Sequence, residues 1–275
     1  MMSIIKRIKR FGNTLSLRFR QPMRVEFNLS DACNLNCMGC SHYSPLAPKE
    51  FEGLPRLAES MSAIASIEGA RKISDIYLIG GETLLYPELT KAMELARKYF
   101  PWAKISIFTN GLLLPKMSDD FWEKCRVHDM VITITRYPVN FDYDALGPLC
   151  ESKRVKYEIF DDRSLEHSFF KFRLDPQKRQ NKWVRHFKCY SFGCLTVIDD
   201  KIFPCAQSAC VTNFNKAFGT DYKWEKGDYI PVQSLKNVKQ LFRLRNLPVP
   251  FCGYCKPIIT TPYALSKRVK EEWLD

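Results

Sequence analysis

Residues 33–40 read Cys-Asn-Leu-Asn-Cys-Met-Gly-Cys, which places three cysteines within one short run. Alternating apolar residues over 23–29 predict a β-strand, so the cysteines are expected in the loop at the carboxyl end of that strand. Three thiolates at this spacing suit three corners of a cubane iron–sulfur cluster and leave one iron open. The polar residues around the run argue against three structural cysteines buried in a core.

Strands and helices alternate downstream of this loop. Apolar patterns predict four further strands, at 75–79, 104–108, 130–135 and 155–160. Helical spacing predicts intervening helices at 54–70, 88–100, 119–126 and 143–151. Five strands that alternate with helices favour an α/β fold with a parallel sheet, either an open barrel or a doubly wound sheet. Active sites of parallel α/β barrels lie at the carboxyl ends of the strands, where the cysteine run is expected.

The composition and the net charge further restrict the possible classes of protein and partner. The chain has 275 residues, of which 45% are hydrophobic and 26% charged, so a folded core is expected and extensive disorder is excluded. The formal net charge of +12 favours an acidic partner, such as a phosphorylated metabolite, an anionic membrane or a nucleic acid. The basic segment 1–22 is compatible with peripheral contact to such a surface. The sequence predicts no membrane span and no signal peptide, which indicates a cytoplasmic protein. In that reducing compartment the 11 cysteines favour metal binding over disulfides.

Two later motifs join the cysteine run in a resemblance to the radical SAM superfamily. Gly80-Gly81-Glu82 follows the second predicted strand, and Thr109-Asn110-Gly111 follows the third. The resemblance implies that Cys33, Cys37 and Cys40 hold a [4Fe–4S] cluster whose open iron is chelated by S-adenosylmethionine (SAM). One electron then cleaves SAM to a 5′-deoxyadenosyl radical, which abstracts a substrate hydrogen.

The resemblance also assigns the SAM contacts. It implies that Gly80, Gly81 and Glu82 hold the SAM amino group, since glycines admit a close ligand and a carboxylate pairs with an ammonium. Thr109 and Asn110 would face the ribose. Thr135 and Arg136, at the end of the fourth strand, are either further SAM contacts or ordinary surface residues. His42, beside the cysteines, either contacts the cluster loop or SAM, or is a loop histidine with its own partners.

One position departs from the family pattern. The family usually has an aromatic residue just before the third cysteine, and this chain has Gly39 there. Aromatic packing on the adenine would then come from elsewhere in the chain or be absent.

The strand–helix rhythm stops after about residue 161. A hairpin is expected at 195–198 and 201–203 around Asp199-Asp200, and a helix at 234–245. A hairpin that ends in Pro204-Cys205, followed later by the CxxC at 252–255, resembles the SPASM/Twitch type of C-terminal extension. The resemblance implies an auxiliary [4Fe–4S] cluster held by Cys205, Cys252 and Cys255 with either Cys189 or Cys194. Cys210 is expected to be a bystander, and four such cysteines also suit a zinc site. Cys125, within a helical pattern, and Cys150, at a helix end, are expected to be core or surface residues and not ligands.

The predicted architecture is therefore a partial (β/α)6 radical SAM barrel over 23–188, with a small α+β iron–sulfur domain over 189–275. Because only 32 residues precede Cys33, a small molecule is favoured over a peptide as substrate. The basic segment 171–188 suits a phosphorylated or nucleotide-linked molecule. The stretch CNLNCMGCSHYSPLAP resembles radical SAM proteins linked with surface polysaccharides, which points to a sugar-like substrate.

The predicted reaction is oxidation or epimerisation of that substrate. An auxiliary cluster would accept an electron during oxidation, whereas epimerisation needs a hydrogen donor such as Cys194, Cys210 or Tyr190. A flavodoxin or ferredoxin-type protein would supply the electron for SAM cleavage. Two other classes stay open. One is a radical SAM enzyme that modifies peptides. The other is a zinc-binding nucleic-acid module, which only the charge and the CxxC support.

Overall fold

The computed structural model describes residues 21–160 and 168–275. Its strands are β1 Met23–Asn28, β2 Ile73–Ile79, β3 Lys104–Thr109, β4 Met130–Thr135, β5 Lys156–Phe160, β6 Ser168–Lys171, β7 Cys194–Ile198, β8 Lys201–Phe203, β9 Ile230–Pro231 and β10 Ile259–Pro262. Its helices are α1 Leu54–Ala65, α2 Leu89–Tyr99, α3 Asp119–Val127, α4 Leu146–Ser152, α5 Lys182–Phe187, α6 Ala206–Ala209, α7 Val211–Phe218 and α8 Val238–Asn246.

A single eight-stranded sheet forms the centre of the molecule. Its strand order is β5-β4-β3-β2-β1-β7-β8-β9, and the first six of these strands run parallel. The α/β class with a mostly parallel sheet is thereby confirmed. The sixth parallel strand, β7, does not follow β5 but joins the opposite edge, beside β1. Strands β6 and β10 form a separate antiparallel pair.

The two faces of the sheet differ in character because side chains alternate along each strand. In β1, Met23, Val25 and Phe27 are buried and lie in the hydrophobic core. Arg24 and Glu26 point to the other face and line a large cavity. The aliphatic face is covered by helices such as α1, which buries Leu57, Met61 and Ile64. The cavity face is left to polar and aromatic side chains.

Three helices differ in their bounds from the helices that the sequence predicts. Helix α1 stops at Ala65, and the chain turns at Gly69, whose φ of +77° suits a glycine. Helix α4 begins at Leu146. Helix α8 begins at Val238, where the Gln240 side-chain oxygen accepts hydrogen bonds from the Asn237 N–H at 3.2 Å and the Lys236 N–H at 2.7 Å.

The expected hairpin is confirmed as β7 and β8, joined by Asp199 and Asp200 with φ values of +47° and +56°. Because this hairpin extends the central sheet, residues on both sides of position 188 share one sheet. The division into 23–188 and 189–275 stays a prediction. Most of the basic segment 1–22 lies outside the described residues. Among the described helices, none is long and apolar enough to cross a membrane.

Candidate functional site

The loop that follows β1 carries the first three cysteines. Cys37 is buried, and Cys33 and Cys40 are partly buried. Burial, together with the nearby Cys40 thiolate, raises the pKa of Cys33 and of Cys37 to about 12. The three thiols therefore share one neighbourhood in which negative charge is disfavoured without a cation.

The C-terminal tail, residues 259–275, covers this loop. The Met38 N–H donates to the Ala264 carbonyl at 3.0 Å, and the Ser266 N–H donates to the Asn36 carbonyl at 2.7 Å. The fully buried Trp273 donates its indole N–H to the Cys40 carbonyl at 3.0 Å. The tail thus satisfies backbone groups of a loop that has no regular structure of its own.

The two glycines of the Gly80-Gly81-Glu82 motif let the cysteine loop approach the end of β2. A Cβ atom at Gly80 would lie 2.4 Å from the Ser30 carbonyl oxygen, and one at Gly81 would lie 2.4 Å from the Ala32 carbonyl oxygen. The Gly81 N–H donates to the Ser30 carbonyl at 2.6 Å. The sequence led us to expect that these glycines admit a ligand. In the structure, the backbone of residues 30–32, just ahead of Cys33, approaches them closely.

Glu82 joins the ends of β2 and β3. Its carboxylate accepts hydrogen bonds from the Thr109 hydroxyl at 2.6 Å, the Asn110 N–H at 2.8 Å and the Leu84 N–H at 3.0 Å. A carboxylate offers about four lone-pair sites, so Oε2 keeps one site without a donor among the described residues, while Glu82 itself is buried. Burial raises the pKa of Glu82, and these donors partly offset that effect. The Asn110 side chain donates to Asn34 at 2.7 Å and so contacts the cysteine loop.

The surroundings of Gly39 explain the missing aromatic residue. Gly39 has a φ of +71°, and a Cβ atom there would lie 2.8 Å from the Lys171 side chain. Tyr263 of the tail lies nearby, with its hydroxyl 3.6 Å from the Cys37 sulfur. Its ring contacts Tyr137 and Phe169, with ring centroids 6.3 and 6.0 Å away. The aromatic side chains beside this loop are thus supplied by distant segments.

A cavity of about 1340 Å³ lies on the polar and aromatic face of the sheet. Ser41 and His42 of the cysteine loop line it at one side, and Cys194 and Ala206 line it at another. Its remaining walls include many aromatic rings, among them Tyr77, Phe108, Tyr137, Phe141, Tyr143, Phe160, Phe169, Phe170, Phe172, Tyr190 and Phe192. Pockets for a single drug-sized ligand span about 300–1000 Å³, so this cavity has room for a cofactor and a substrate together.

Several polar groups in the cavity wall are available to a ligand. The Arg24 Nε and His42 Nε2 atoms are buried and have no hydrogen-bond partner among the described residues. Burial lowers the pKa of His42 to about 4. Glu26 is buried, accepts from the Thr196 hydroxyl at 3.1 Å and is hydrogen-bonded to Cys194. Buried polar atoms without partners are costly, so a polar ligand would stabilise this wall.

Thr135 and Arg136 also line the cavity, at the end of β4. Arg136 donates to Asp144 at 3.1 Å and lies over the ring of Tyr143. These contacts hold the guanidinium at the cavity wall.

The C-terminal cysteines come together from separate segments. Burial raises the pKa of Cys255 well above its usual range, and the thiolates of Cys205, Cys252 and Cys189 raise it further. Burial also raises the pKa of Cys252, and the nearby Cys205 thiolate contributes to this rise. Cys194 lies instead on the cavity face of β7, hydrogen-bonded to Glu26, although Cys205 also influences it. Within the described ranges, no three Cys, His, Asp or Glu side chains converge on a point that could hold a single metal ion.

The three remaining cysteines are all buried. Cys125 and Cys150 are buried in α3 and α4. Cys210 is fully buried between α6 and α7, with Cys40 and Cys205 among its electrostatic neighbours. Of the three hydrogen donors considered for epimerisation, Cys194 and Tyr190 line the cavity and Cys210 does not.

Sequence reasoning missed the tail residues and the charged pair on β1. Tyr263 and Trp273 carry no local motif, and only their placement against the cysteine loop marks them. Arg24 and Glu26 had a readable signal: two charged residues alternate with Met23, Val25 and Phe27 in a strand whose neighbours are buried.

Residues 27–136 match the family model described as Radical SAM superfamily. Among solved structures, BtrN in complex with AdoMet and 2-DOIA is similar with a TM-score of 0.52 and 16% identity, covering 92% of this chain and 98% of that chain. Native anSMEcpe with bound AdoMet has a TM-score of 0.39 and 19% identity, covering 50% of this chain and 43% of that chain. Streptococcus suis SuiB bound to S-adenosylmethionine has a TM-score of 0.36 and 12% identity, covering 57% of this chain and 37% of that chain. No curated protein matches the sequence.

Proposed function

We propose that this chain is a radical SAM enzyme, as the family-model match over residues 27–136 supports, and that it abstracts a hydrogen atom from a sugar-like or nucleotide-linked small molecule. The cluster and SAM, when bound, supply one-electron cleavage of SAM and the radical that removes the hydrogen. The observation that carries the proposal is the cavity beside the cysteine loop, with the unpartnered Arg24 Nε and His42 Nε2 atoms in its wall.

The first cysteine group fits a [4Fe–4S] cluster. Cys33, Cys37 and Cys40 supply three thiol ligands from one loop, and no fourth cysteine lies in that run. Their burial disfavours free thiolates, and the charge of bound iron would offset that penalty. The tail holds the loop's backbone through Asn36, Met38 and Cys40.

The SAM site is proposed between this loop and the ends of β2 and β3. The second Oε2 lone pair of Glu82 would accept a hydrogen bond from the SAM ammonium. Gly80 and Gly81 contribute through their backbone, and Thr109 and Asn110 hold Glu82 in position. Thr135 and Arg136 would complete the site from β4.

The composition of the cavity favours a small polar ring as substrate. Aromatic faces pack against the carbon–hydrogen face of a sugar, while Arg24 and Arg136 offer cations for phosphate groups and Glu26 offers an acceptor for hydroxyl groups. The similar fold of BtrN holds AdoMet and 2-DOIA together, which supports room for two molecules in such a fold. Aromatic rings offer few hydrogen-bond partners for the backbone of a peptide, so a wall made largely of rings suits a peptide less well.

An auxiliary [4Fe–4S] cluster is proposed at Cys189, Cys205, Cys252 and Cys255. Cys189 is among the thiols that raise the pKa of Cys255, whereas Cys194 is hydrogen-bonded to Glu26, and this difference favours Cys189 as the fourth ligand. Such a cluster would accept the electron that a substrate radical loses, which makes oxidation the favoured outcome. Epimerisation is the second candidate, because the Cys194 thiol and the Tyr190 hydroxyl both line the cavity.

The decisive experiment is metal analysis of anaerobically purified protein, with the triple variant C33A/C37A/C40A as comparison. At about four irons per cubane, we expect about eight irons in the wild type and about four in the variant. Four irons in the wild type, none in the variant and one zinc in both would make the C-terminal site a zinc site. No iron in either protein would refute the proposal.

A second experiment tests the substrate class. Reduced wild type is incubated with SAM and either cyclitols, nucleotide-linked sugars or peptides, and 5′-deoxyadenosine is measured. Turnover above the background without substrate is expected only for the first two groups, and Glu26→Gln should raise the substrate KM without changing iron content. Stimulation by peptides alone would assign the chain to peptide modification.

A further inference from the structure

The C-terminal tail places a side-chain hydroxyl against one cysteine of the first group. The Tyr263 hydroxyl oxygen lies 3.6 Å from the Cys37 sulfur, a distance at which sulfur takes part in hydrogen bonds. The two residues are 226 positions apart in sequence, so the contact depends on the tail folding back over the cysteine loop.

Backbone contacts hold Tyr263 on both sides. Strand β10 ends one residue before it and pairs with β6. On the other side, the Met38 N–H donates to the Ala264 carbonyl at 3.0 Å, and Leu265 forms an isolated β-bridge with Cys37. The backbone at position 263 is therefore fixed relative to the cysteine loop.

Two aromatic rings fix the direction of the Tyr263 side chain. Its ring meets those of Tyr137 and Phe169 edge to face, at interplanar angles of 64° and 77°. Such arrangements are a favoured geometry of aromatic pairs. Tyr137 and Phe169 line the large cavity, so the Tyr263 ring connects the wall of that cavity to Cys37.

The Tyr263 hydroxyl differs from a donor that the cysteine loop supplies itself. The Leu35 N–H donates to the Cys33 sulfur at 3.4 Å, and any residue at position 35 other than proline would offer the same backbone donor. The hydroxyl beside Cys37 belongs to a side chain. Substitution of one residue therefore removes it and leaves the backbone of the loop in place.

Iron binding gives this contact one direction. In the metal-free protein either the thiol or the hydroxyl can be the donor. A cysteine binds metal as the thiolate, which has no proton to donate, so only the Tyr263 hydroxyl can donate once Cys37 is a ligand. Hydrogen bonds to the sulfurs of an iron–sulfur cluster are one of the features that set its reduction potential. Because reduction adds a negative charge, a donor at sulfur stabilises the reduced form more than the oxidised form.

We propose that Tyr263 raises the reduction potential of the cluster held by Cys33, Cys37 and Cys40, by donating a hydrogen bond to the Cys37 sulfur. Tyr263 is a positioning residue in this role, and neither a proton nor an electron leaves it. The inference rests on the proposed function, since it requires a cluster at those cysteines.

The test measures the midpoint potential of that cluster in Tyr263→Phe, which keeps the ring and removes the hydroxyl. Redox titration of the iron-loaded enzyme is followed by electron paramagnetic resonance, and the signal of this cluster is identified by its change when SAM is added. Pulsed measurements after exchange into deuterated water detect exchangeable protons beside the cluster. Tyr86→Phe is the matched control, because it also removes a donating hydroxyl from a buried ring, but the acceptor is the Glu52 carbonyl, at 2.7 Å.

We expect about tenfold less reduced cluster in Y263F than in the wild type at the same solution potential, a shift of about 59 mV for a one-electron couple. The coupling of an exchangeable deuteron to the cluster should weaken in Y263F. Iron content should be unchanged, and Y86F should match the wild type in both measurements.

Equal midpoint potentials in Y263F and the wild type would overturn the role of Tyr263 while leaving the proposed function intact. Because a midpoint potential does not depend on the fraction of protein that is loaded, partial iron loading of Y263F still permits the comparison. Complete loss of the cluster in Y263F would assign Tyr263 to cluster assembly and would also overturn the inference. A wild type without a reducible cluster would refute the proposed function itself.

Discussion

The two cysteine groups reach their sites in different ways. Cys33, Cys37 and Cys40 lie in one loop, and the end of β2 and the C-terminal tail hold that loop from both sides. The C-terminal group is gathered from the segment before β7, the end of β8 and the CxxC at 252–255. Cysteines that are close in sequence stay close in space wherever their loop lies in the fold. A group built from distant segments depends on the whole tertiary structure.

The largest expected effect separates the two groups by iron content. The double variant C252S/C255S should lose about four of about eight irons, because only the auxiliary site is dismantled. It should still cleave SAM with a chemical reductant, which C33A/C37A/C40A should not. Iron and sulfide analysis with a 5′-deoxyadenosine assay checks this expectation. Loss of all iron in C252S/C255S would mean that the two groups depend on each other.

Gly81→Ala tests how far the first group depends on backbone contact. The added methyl would lie 2.4 Å from the Ala32 carbonyl oxygen, so the strand end and the cysteine loop must move apart. We expect a loss of about 3 kcal/mol in the free energy of unfolding and weak iron retention. Urea unfolding and iron analysis measure both.

Gly53→Ala is the matched control, since a Cβ there has only the Pro55 side chain nearby, at 4.0 Å. Its cost should stay below about 1 kcal/mol, with iron unchanged. Equal losses in the two variants would show that the contact with Ala32 is not what matters.

A comparison of Cys189→Ser with Cys194→Ser sharpens the assignment of the auxiliary ligands. Cys189 lies near Cys255, so its serine variant should lose most of the second cluster, about four irons. Cys194 is hydrogen-bonded to Glu26 in the cavity, so its serine variant should keep full iron and change only substrate-dependent turnover. The reverse pattern of iron loss would exchange their roles.

The smallest expected effect concerns the tail. Trp273→Phe keeps a buried ring but removes the indole N–H that the Cys40 carbonyl accepts. We expect about 1–3 kcal/mol lower stability of the metal-free protein and faster iron release on chelation, with full initial loading. Phe218→Leu, a change of ring contact at the other side of Trp273, controls for packing alone. Identical iron release from both variants would assign the effect to packing.

The sequence predicted the features that depend on neighbouring residues and missed those that depend on distant segments. The five βα strands, the cysteine run and the β7–β8 hairpin were predicted because their signals are local: alternation, spacing and an Asp-Asp turn. The position of β7 beside β1 was not predicted, because strand order depends on tertiary packing and the sequence of neither strand indicates it. Tyr263 and Trp273 were missed for the same reason. Gly39 was noticed as a departure, but only the structure explains it, through the Lys171 side chain and the positive φ.

The pairing of β1 with β7 has a consequence for how the chain folds. Arg24 to Phe27 pair with Cys194 to Val197, so one edge of β1 finds its partner only after roughly two thirds of the chain has followed it. Until then a folding or growing chain displays an unpaired strand edge directly before the cysteine loop. Closing a contact this distant in sequence is slow, and the exposed edge invites association between chains. Expression temperature and early iron supply are therefore expected to govern how much correctly assembled protein is recovered.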